Sequence, residues 1–256
     1  MIRRSFDYNL FEFLGKMRKK NTFFQFKQFR IDQGQTAMKV TTEGCLFGAW
    51  VASQVQNAKS VLDIGSGTGL LSLMLAQKLQ DAQIHGVELN EDAAPQADQN
   101  FKESPWGERL FIHQQKIQEF QDTQKFDLII SNPPFFKQSL NSPDANVNLA
   151  RHDDSMSQQD LIKAIKLNLN QEGLAFILYP EREANSFRQD AIAEGLFPVK
   201  ELVVFNSSGS KVLRTIIAYA KQEGSLEKSV LVIKDVEGNY TPDFVKLLKE
   251  YYLYLE

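Results

Sequence analysis

From residue 60 onward, short apolar runs alternate with stretches in which apolar residues recur every three or four positions. SVLDIG (60–65) is the first run, and LLSLMLAQKL (70–79) follows it with Leu71, Met74, Leu75 and Leu79 on one helical face. QIHGVELN (83–90), RLFIHQ (109–114), KFDLIIS (125–131) and LAFILYP (174–180) read as further strands, with EDAAPQADQNFKES (91–104) as the helix between the second and third. Ser157 with Asp160 is a capping signal that opens a helix carrying Leu161, Ile165 and Leu169, and Gly173 reads as its end. One more helix is predicted around 181–194. This alternation predicts an α/β fold: a mostly parallel sheet with helices on both faces.

After residue 194 the pattern changes. FPVKELVVFN (197–206) and VLRTIIAYAKQ (212–222) flank the turn-rich SSGSK, which suits an antiparallel pair at the sheet edge. These runs predict a seven-stranded sheet with an antiparallel edge strand; KSVLVIKD (228–235) could add one more strand. Thr241 and Pro242 open a final helix as its N-cap and first residue. With no repeat, low-complexity tract or linker, the expected organisation is one domain. Residues 1–55 form a basic, aromatic segment and lid within it, and 56–256 carry the main fold.

VLDIGSGTG places Gly65, Gly67 and Gly69 between a strand and a helix. There, absent side chains let backbone approach a ligand, and the helix N-terminus supplies oriented N–H groups. Tight turns also use glycine for purely steric reasons, so the neighbours matter. The dinucleotide fingerprint would need glycine at 70, which is Leu70, and Asp63 stands two positions before Gly65. Glu88 ends the second strand, 23 positions after Gly65, where a carboxylate can accept both ribose hydroxyls of an adenosine moiety. The D-x-G-x-G-x-G pattern resembles motif I of the S-adenosylmethionine-dependent methyltransferases. That resemblance implies a Rossmann-like class I fold, S-adenosyl-L-methionine as cofactor, and Asp63 facing its sulfonium or amino group directly or through water.

SNPPFF (131–136) sets two prolines directly after a strand. Ligands of open parallel sheets bind beyond the carboxyl ends of the strands, and the strands at 60–65 and 125–131 are expected neighbours, so this tip faces the cofactor. Pro133 biases Asn132 towards an extended backbone, and the two pyrrolidine rings stiffen the peptide units after it. An aromatic amine is a poor nucleophile because its lone pair is delocalised. Two N–H bonds accepted by Asn132 Oδ1 and the Pro133 carbonyl would favour the tetrahedral nitrogen that attack requires, while Phe135 stacks on the ring. Asn-Pro-Pro-Phe (Asn132, Pro133, Pro134, Phe135) resembles motif IV of the amino-methyltransferases that act on adenine N6, guanine N2 or a glutamine side-chain amide.

FQFKQFRIDQGQTAMKVTTEGCLFGAW (24–50), SNPPFF and ARHDDSMSQQDL (150–161) are together similar to the bacterial family that makes N6-methyladenosine at position 37 of valine tRNA, over about residues 20–256. The resemblance implies adenine 37 in the anticodon loop as target and the valine tRNA anticodon stem-loop as partner. It places Lys39 and Thr42, with Val40 and Thr41, over a cofactor site that also includes Ser66 and Leu89. Lys27, Gln28 and Phe29 fall near the substrate mouth, with Phe136; Arg151, after the polar loop KQSLNSPDANVNLA, reads as a phosphate or lid residue and equally as a surface salt bridge. FKQF is a candidate base-stacking surface and equally a lid packed on the sheet. The family's acidic residue after the third strand is replaced here by Lys116, so Gln115 or the backbone at 116–117 would serve the cofactor adenine; Glu43 stands where Asp is more usual. A protein glutamine amide or rRNA guanine N2 remains an alternative substrate. A release-factor-type enzyme would carry a longer helical N-terminal domain than the 59 residues ahead of Ser60. A binding module without activity would have no use for the aimed Asn132.

Composition narrows the rest. One cysteine, Cys45, excludes an internal disulfide, and three histidines with it give no metal-ligand spacing, so no metal is expected. No run is long and apolar enough to span a membrane and no signal-peptide pattern opens the chain, so a cytoplasmic protein is expected. Met17, directly ahead of RKK, offers a second start position. Nothing specifies an oligomer, and a monomer is the expectation. Net charge is −3, but residues 1–30 hold eight Lys/Arg against two Asp/Glu, together with eight Phe and Tyr. That mix suits phosphates and unstacked bases, and equally a solvated terminus whose aromatics cover the core edge.

Overall fold

Strand β3 (Ser60–Ile64) is buried at all five residues and is an interior strand of the eight-stranded sheet formed by the described residues. The computed structural model describes residues 22–36, 38–120, 124–134 and 156–255. On one side of β3 lie β4 (Gln83–Glu88) and β5 (Leu110–Gln114); on the other lie β6 (Phe126–Ser131) and β7 (Leu169–Tyr179), all parallel to it. Beyond β7 come β9 (Val212–Ala220), then β8 (Phe197–Ser207), then β10 (Glu227–Lys234), in the order β10-β8-β9-β7-β6-β3-β4-β5.

The class is as expected, and the strand count is corrected. The sheet has eight strands, and its antiparallel strand, β9, is interior. The β8–β9 hairpin folds β9 back between β7 and β8, and β10 then pairs parallel to β8, burying Leu231 and Ile233. A two-stranded hairpin, β1 (Phe23–Gln25) with β2 (Arg30–Asp32), stands outside the sheet.

Period-2 alternation divides the sheet's side chains between two cores. Val61, Leu128, Ile130, Phe176 and Ile216 face helices α1 (Thr42–Gln54), α2 (Leu70–Lys78) and α6 (Pro242–Leu248), and Phe101 of α3 (Ala93–Lys102) joins them. Leu62, Ile129, Ala175 and Ile217 face α4 (Gln158–Asn168) and α5 (Glu181–Ala193). Helix α2 is buried on every side from Leu70 to Gln77, because α1 and the 250–251 segment close over the face turned from the sheet. Two caps are as expected: Ser157 and Asp160 form a capping box, and Thr241 Oγ1 accepts from Phe244 N at 3.3 Å with Pro242 as first residue of α6.

Gly173 does not end α4. That helix stops at Asn168 and the chain enters β7 at once, with Gly173 inside the strand beside a register shift in β6. A Cβ there would lie 2.9 Å from Phe126 O, 3.0 Å from Asp127 O and 2.8 Å from Leu169 Cδ1. Close approach of a neighbouring backbone, not a helix cap, is what requires glycine.

The hairpin resolves the double reading of FKQF in favour of packing. Phe29 is 4% exposed and stacks on fully buried Phe26 with centroids 4.4 Å apart, and it meets Trp106 edge-on. Its face is therefore not available to a base. Lys27 is tied to the chain's last turn, its N–H donating to Tyr251 O (2.8 Å) and its Nζ to Lys249 O (2.6 Å).

Gly173→Ala should destabilise the protein by about 1–3 kcal/mol, since two of the atoms it would meet are backbone. Urea unfolding measures this, and an unchanged midpoint would show that β6 and β7 have room to separate.

Candidate active site

The site is built where β3, β4 and β6 end. Gly65 N and Ser66 N both donate to Val87 O (2.8 and 3.2 Å), which draws the turn after β3 onto the end of β4. Gly69 N then closes the turn on Ser66 O at 2.8 Å, and Gly69, at φ 80°, caps the start of α2. Gly65 and Gly67 also have positive φ, and a Cβ on either would meet nothing within 4 Å. The turn is an open cradle lined by backbone.

Glu88 is fixed by two backbone donors. Gly67 N binds its Oε2 and Asn90 N its Oε1, each at 2.8 Å. Each oxygen keeps acceptor capacity, so the carboxylate can take a hydroxyl on either side, as a vicinal diol would require. Leu89 beside it is 39% exposed, and Gln115 N donates to Glu88 O at 3.2 Å, bringing residues 115–117 to the same strand end.

Asp63 is fully buried. Its Oδ2 accepts from Ser72 Oγ at 2.7 Å, while Oδ1 has no partner among the described residues. Burial pushes its pKa up to about 7; the hydroxyl and N–H of Ser72 oppose that, and the Glu88 charge adds to it. Ser66 Oγ is a second buried oxygen without a partner among these residues. An orphaned carboxylate oxygen at the base of an open backbone cradle fits a ligand that carries positive charge.

Asp63 stands opposite Ile130 on β6, so the two strands end together at Ile64 and Ser131, and the glycine turn and Asn132 follow directly from those neighbouring ends. Ser131 Oγ donates to Ile64 O at 2.7 Å and pins the tip. Asn132 Oδ1 is buried without a hydrogen-bond partner among the described residues; Pro133 is buried and Pro134 exposed. The amide oxygen is an acceptor in waiting, beside the glycine turn.

The other expected residues lie as follows. Lys39 Nζ donates to the carbonyls of Gln33 and Thr36 (2.9 Å to Thr36), which fixes the segment leading into α1. Thr42 is the exposed first residue of α1, and Thr41 is its cap, accepting from Gly44 N at 3.1 Å. Glu43 pairs with Arg214 at 3.2 Å. Lys27 and Phe29 are held in the hairpin against the C-terminal segment and Trp106. Phe135, Phe136 and Arg151 lie outside the described residues. No group of three metal-ligating side chains occurs among the described residues, and no helix there is long and apolar enough to cross a membrane.

Sequence reasoning missed the supporting polar residues Ser72, Asn90, Asn100 and Ser131. Asn90 had a signal: its Oδ1 accepts from Asp92 N and Ala93 N (3.0 and 2.9 Å), the service asparagine gives at helix starts. Asn100 also had one, as a polar residue on the stripe shared by buried Ala97 and Phe101.

Residues 48–173 match the family model described as the methyltransferase small domain. The tRNA1(Val) (adenine(37)-N6)-methyltransferase of Flavobacterium johnsoniae is 40% identical over 233 residues, which cover 90% of this chain and 99% of that protein. Its namesake from Pseudoalteromonas translucida is 41% identical over 231 residues, covering 90% and 98%. Among solved structures, a predicted O-methyltransferase from Agrobacterium tumefaciens shares the fold with a TM-score of 0.63 at 14% identity, covering 81% of this chain and 95% of that one. A ribosomal protein L11 methylase from Lactobacillus delbrueckii subsp. bulgaricus gives 0.51 at 17%, covering 74% and 83%. By its identity to these relatives across 90% of its length, with the glycine cradle and the Asn132 tip side by side, the chain belongs to the tRNA1(Val) (adenine(37)-N6)-methyltransferase family.

Proposed function

We propose that this protein methylates the exocyclic N6 of adenine 37 in the anticodon loop of tRNA1(Val), with S-adenosyl-L-methionine as methyl donor. The observation that carries the reading is the buried Asn132 Oδ1, which has no partner among the described residues and follows the strand that adjoins β3. When bound, S-adenosyl-L-methionine supplies a methyl group on positively charged sulfur. Asp63 Oδ1 would balance the cationic groups, Glu88 would take the ribose hydroxyls, and Gly65, Ser66 and Gly67 would line the contact with backbone. Leu89, Lys39 and Thr42 complete the cofactor side of the reading.

Asn132 Oδ1, with the Pro133 carbonyl, would accept the two N–H groups of the adenine amine and draw its lone pair out of the ring. Asparagine cannot take a proton, so the chain supplies alignment and electrostatics and the methylated amine releases its proton to water. An adenine inside a stacked loop must first be splayed out to reach this tip. Phe135 is assigned to stack on it, with Phe136 and Arg151 on the substrate side; the packing of Lys27 and Phe29 favours a structural role for those two. As an enzyme of tRNA maturation, it would work in the cytoplasm.

Incubation of labelled S-adenosyl-L-methionine with unmodified tRNA1(Val), followed by nucleoside analysis, should give N6-methyladenosine at position 37. Label on guanine N2, or only on protein, would overturn the assignment.

Asn132→Ala should lower turnover by on the order of a hundredfold and leave cofactor affinity unchanged, as loss of one preorganised polar group does. Single-turnover kinetics with a parallel binding titration separates the two.

Glu88→Ala removes charge-assisted hydrogen bonds of about 1.5–3 kcal/mol, so cofactor affinity should fall about ten- to a hundredfold by calorimetry.

The raised Asp63 pKa makes cofactor binding pH-dependent. In the free protein the neutral form is favoured, so this group's contribution to stability is fully present below the unfolded pKa and is lost as pH rises through about 7. A cationic ligand instead favours the carboxylate, so binding should weaken as pH falls below about 7 and release a proton there. Asp63→Asn should bind more weakly and lose that dependence, as calorimetry in buffers of different ionisation enthalpy would show.

A further inference from the structure

The glycine turn that receives the cofactor has little stiffness of its own. Three of its five residues, Gly65, Gly67 and Gly69, adopt positive φ, where glycine moves between conformations at low cost. Apart from the bond between Gly69 N and Ser66 O, what holds it lies outside it. The peptide between Ser66 and Gly67 is fixed at both ends, its carbonyl by Gly69 N and its N–H by Glu88. The peptide between Thr68 and Gly69 is likewise fixed, its N–H by Ser66 O and its carbonyl by Asn100 Nδ2 at 2.9 Å.

Asn100 is 1% exposed and uses its whole amide. Besides Thr68 O, its Nδ2 donates to Asp32 O (2.9 Å), and its Oδ1 accepts from Asp32 N (2.9 Å). One side chain thus pairs with β2 as a strand would and grips the glycine turn at the same time. The adjacent Phe101 presses its ring on Gly69, where a Cβ would lie 2.4 Å from it. At the other end of α3, Asn90 holds the first turn and donates to Glu88, which returns to Gly67. The turn, Glu88 and α3 form a closed mechanical ring, and Asn100 is the link that completes it.

We propose that Asn100 is a positioning residue for the cofactor: by holding the Thr68 carbonyl and the β2 backbone on one amide, it keeps the Thr68–Gly69 peptide and the Glu88 carboxylate in their binding arrangement before the ligand arrives. The proposal rests on the cofactor reading above. Removing the clamp deletes no ligand-contacting group but makes binding bear the cost of ordering the turn. The effect therefore falls on cofactor affinity and not on the chemical step.

The test compares the full-length protein with Asn100→Asp, which keeps the shape and the acceptor for Asp32 N but loses the donated bonds, and with Asn100→Ser, which places no charge in the site. S-adenosyl-L-methionine affinity is measured by calorimetry well below the unfolding temperature, amide hydrogen exchange by mass spectrometry, and methyl transfer at saturating cofactor. Both variants should bind about tenfold more weakly, with faster exchange confined to residues 64–70 and β2, and with kcat within about threefold of the parent. Unchanged affinity beside a lowered melting temperature would reduce Asn100 to a structural residue and overturn the proposal. So would a fall in kcat at saturating cofactor with affinity intact. A parent protein that binds no S-adenosyl-L-methionine would instead remove the cofactor reading itself.

Discussion

The parallel pairing of β3 with β6 is the constraint on which the site depends. With Asp63 opposite Ile130, the turn after Ile64 and the tip after Ser131 must end side by side, and the Ser131 hydroxyl on Ile64 O fixes them at that height. Register in a sheet buried on both faces is hard to alter, because a slip of one residue would exchange every side chain between the two cores. The chemistry is thereby given a rigid base line. The groups that must meet, a backbone cradle and an amide oxygen, are carried on neighbouring strands rather than on independent loops.

Around this base line lie buried polar atoms that the described residues do not satisfy. Asp63 Oδ1, Ser66 Oγ and Asn132 Oδ1 are each buried without a partner among the described residues. Such atoms cost stability, and a fold retains them where a ligand completes the bonding. Elsewhere near the site Asn90 and Asn100 spend their side chains on backbone, Lys39 caps carbonyls of the segment that leads to α1, and Glu88 accepts one backbone N–H on each oxygen and keeps capacity for more. Around the site, saturated groups build the frame, and the groups that keep acceptor capacity are the ones assigned to a ligand.

The strands from 60 to 131, the helices at 158 and 181 and the final Thr241 cap were legible because they rest on local rules: apolar periodicity, capping chemistry and the glycine turn. The motif residues Asp63, Gly65, Glu88 and Asn132 could be placed because each stands at a strand end, where topology dictates position. What escaped was non-local. Gly173 carries the same letter whether it ends a helix or admits a neighbouring backbone, and only the β6 carbonyls distinguish the two. The interior position of β9 depends on β8 and β10 finding places beyond it, which no single segment reveals. Helix α1 and the β1–β2 hairpin were missed because α1 is buried almost all round from Gly44 to Ala52, which blurs its period, and the hairpin strands have three residues each. The aromatic richness of the hairpin suggested bases as readily as packing, and burial of Phe26 and Phe29 decides for packing.

The way β1 enters the fold has a practical consequence for handling the protein. Thr22 O accepts from Gln33 N at 2.8 Å, one residue from the Asp32 backbone that Asn100 joins to the glycine turn. A label or an insertion at residues 30–33 would therefore reach the cradle through that one link, whereas Leu255 lines a hollow with Lys27, Gln28, Lys249 and Glu250. Crosslinks and internal labels belong away from this hairpin, so that the cradle is left undisturbed.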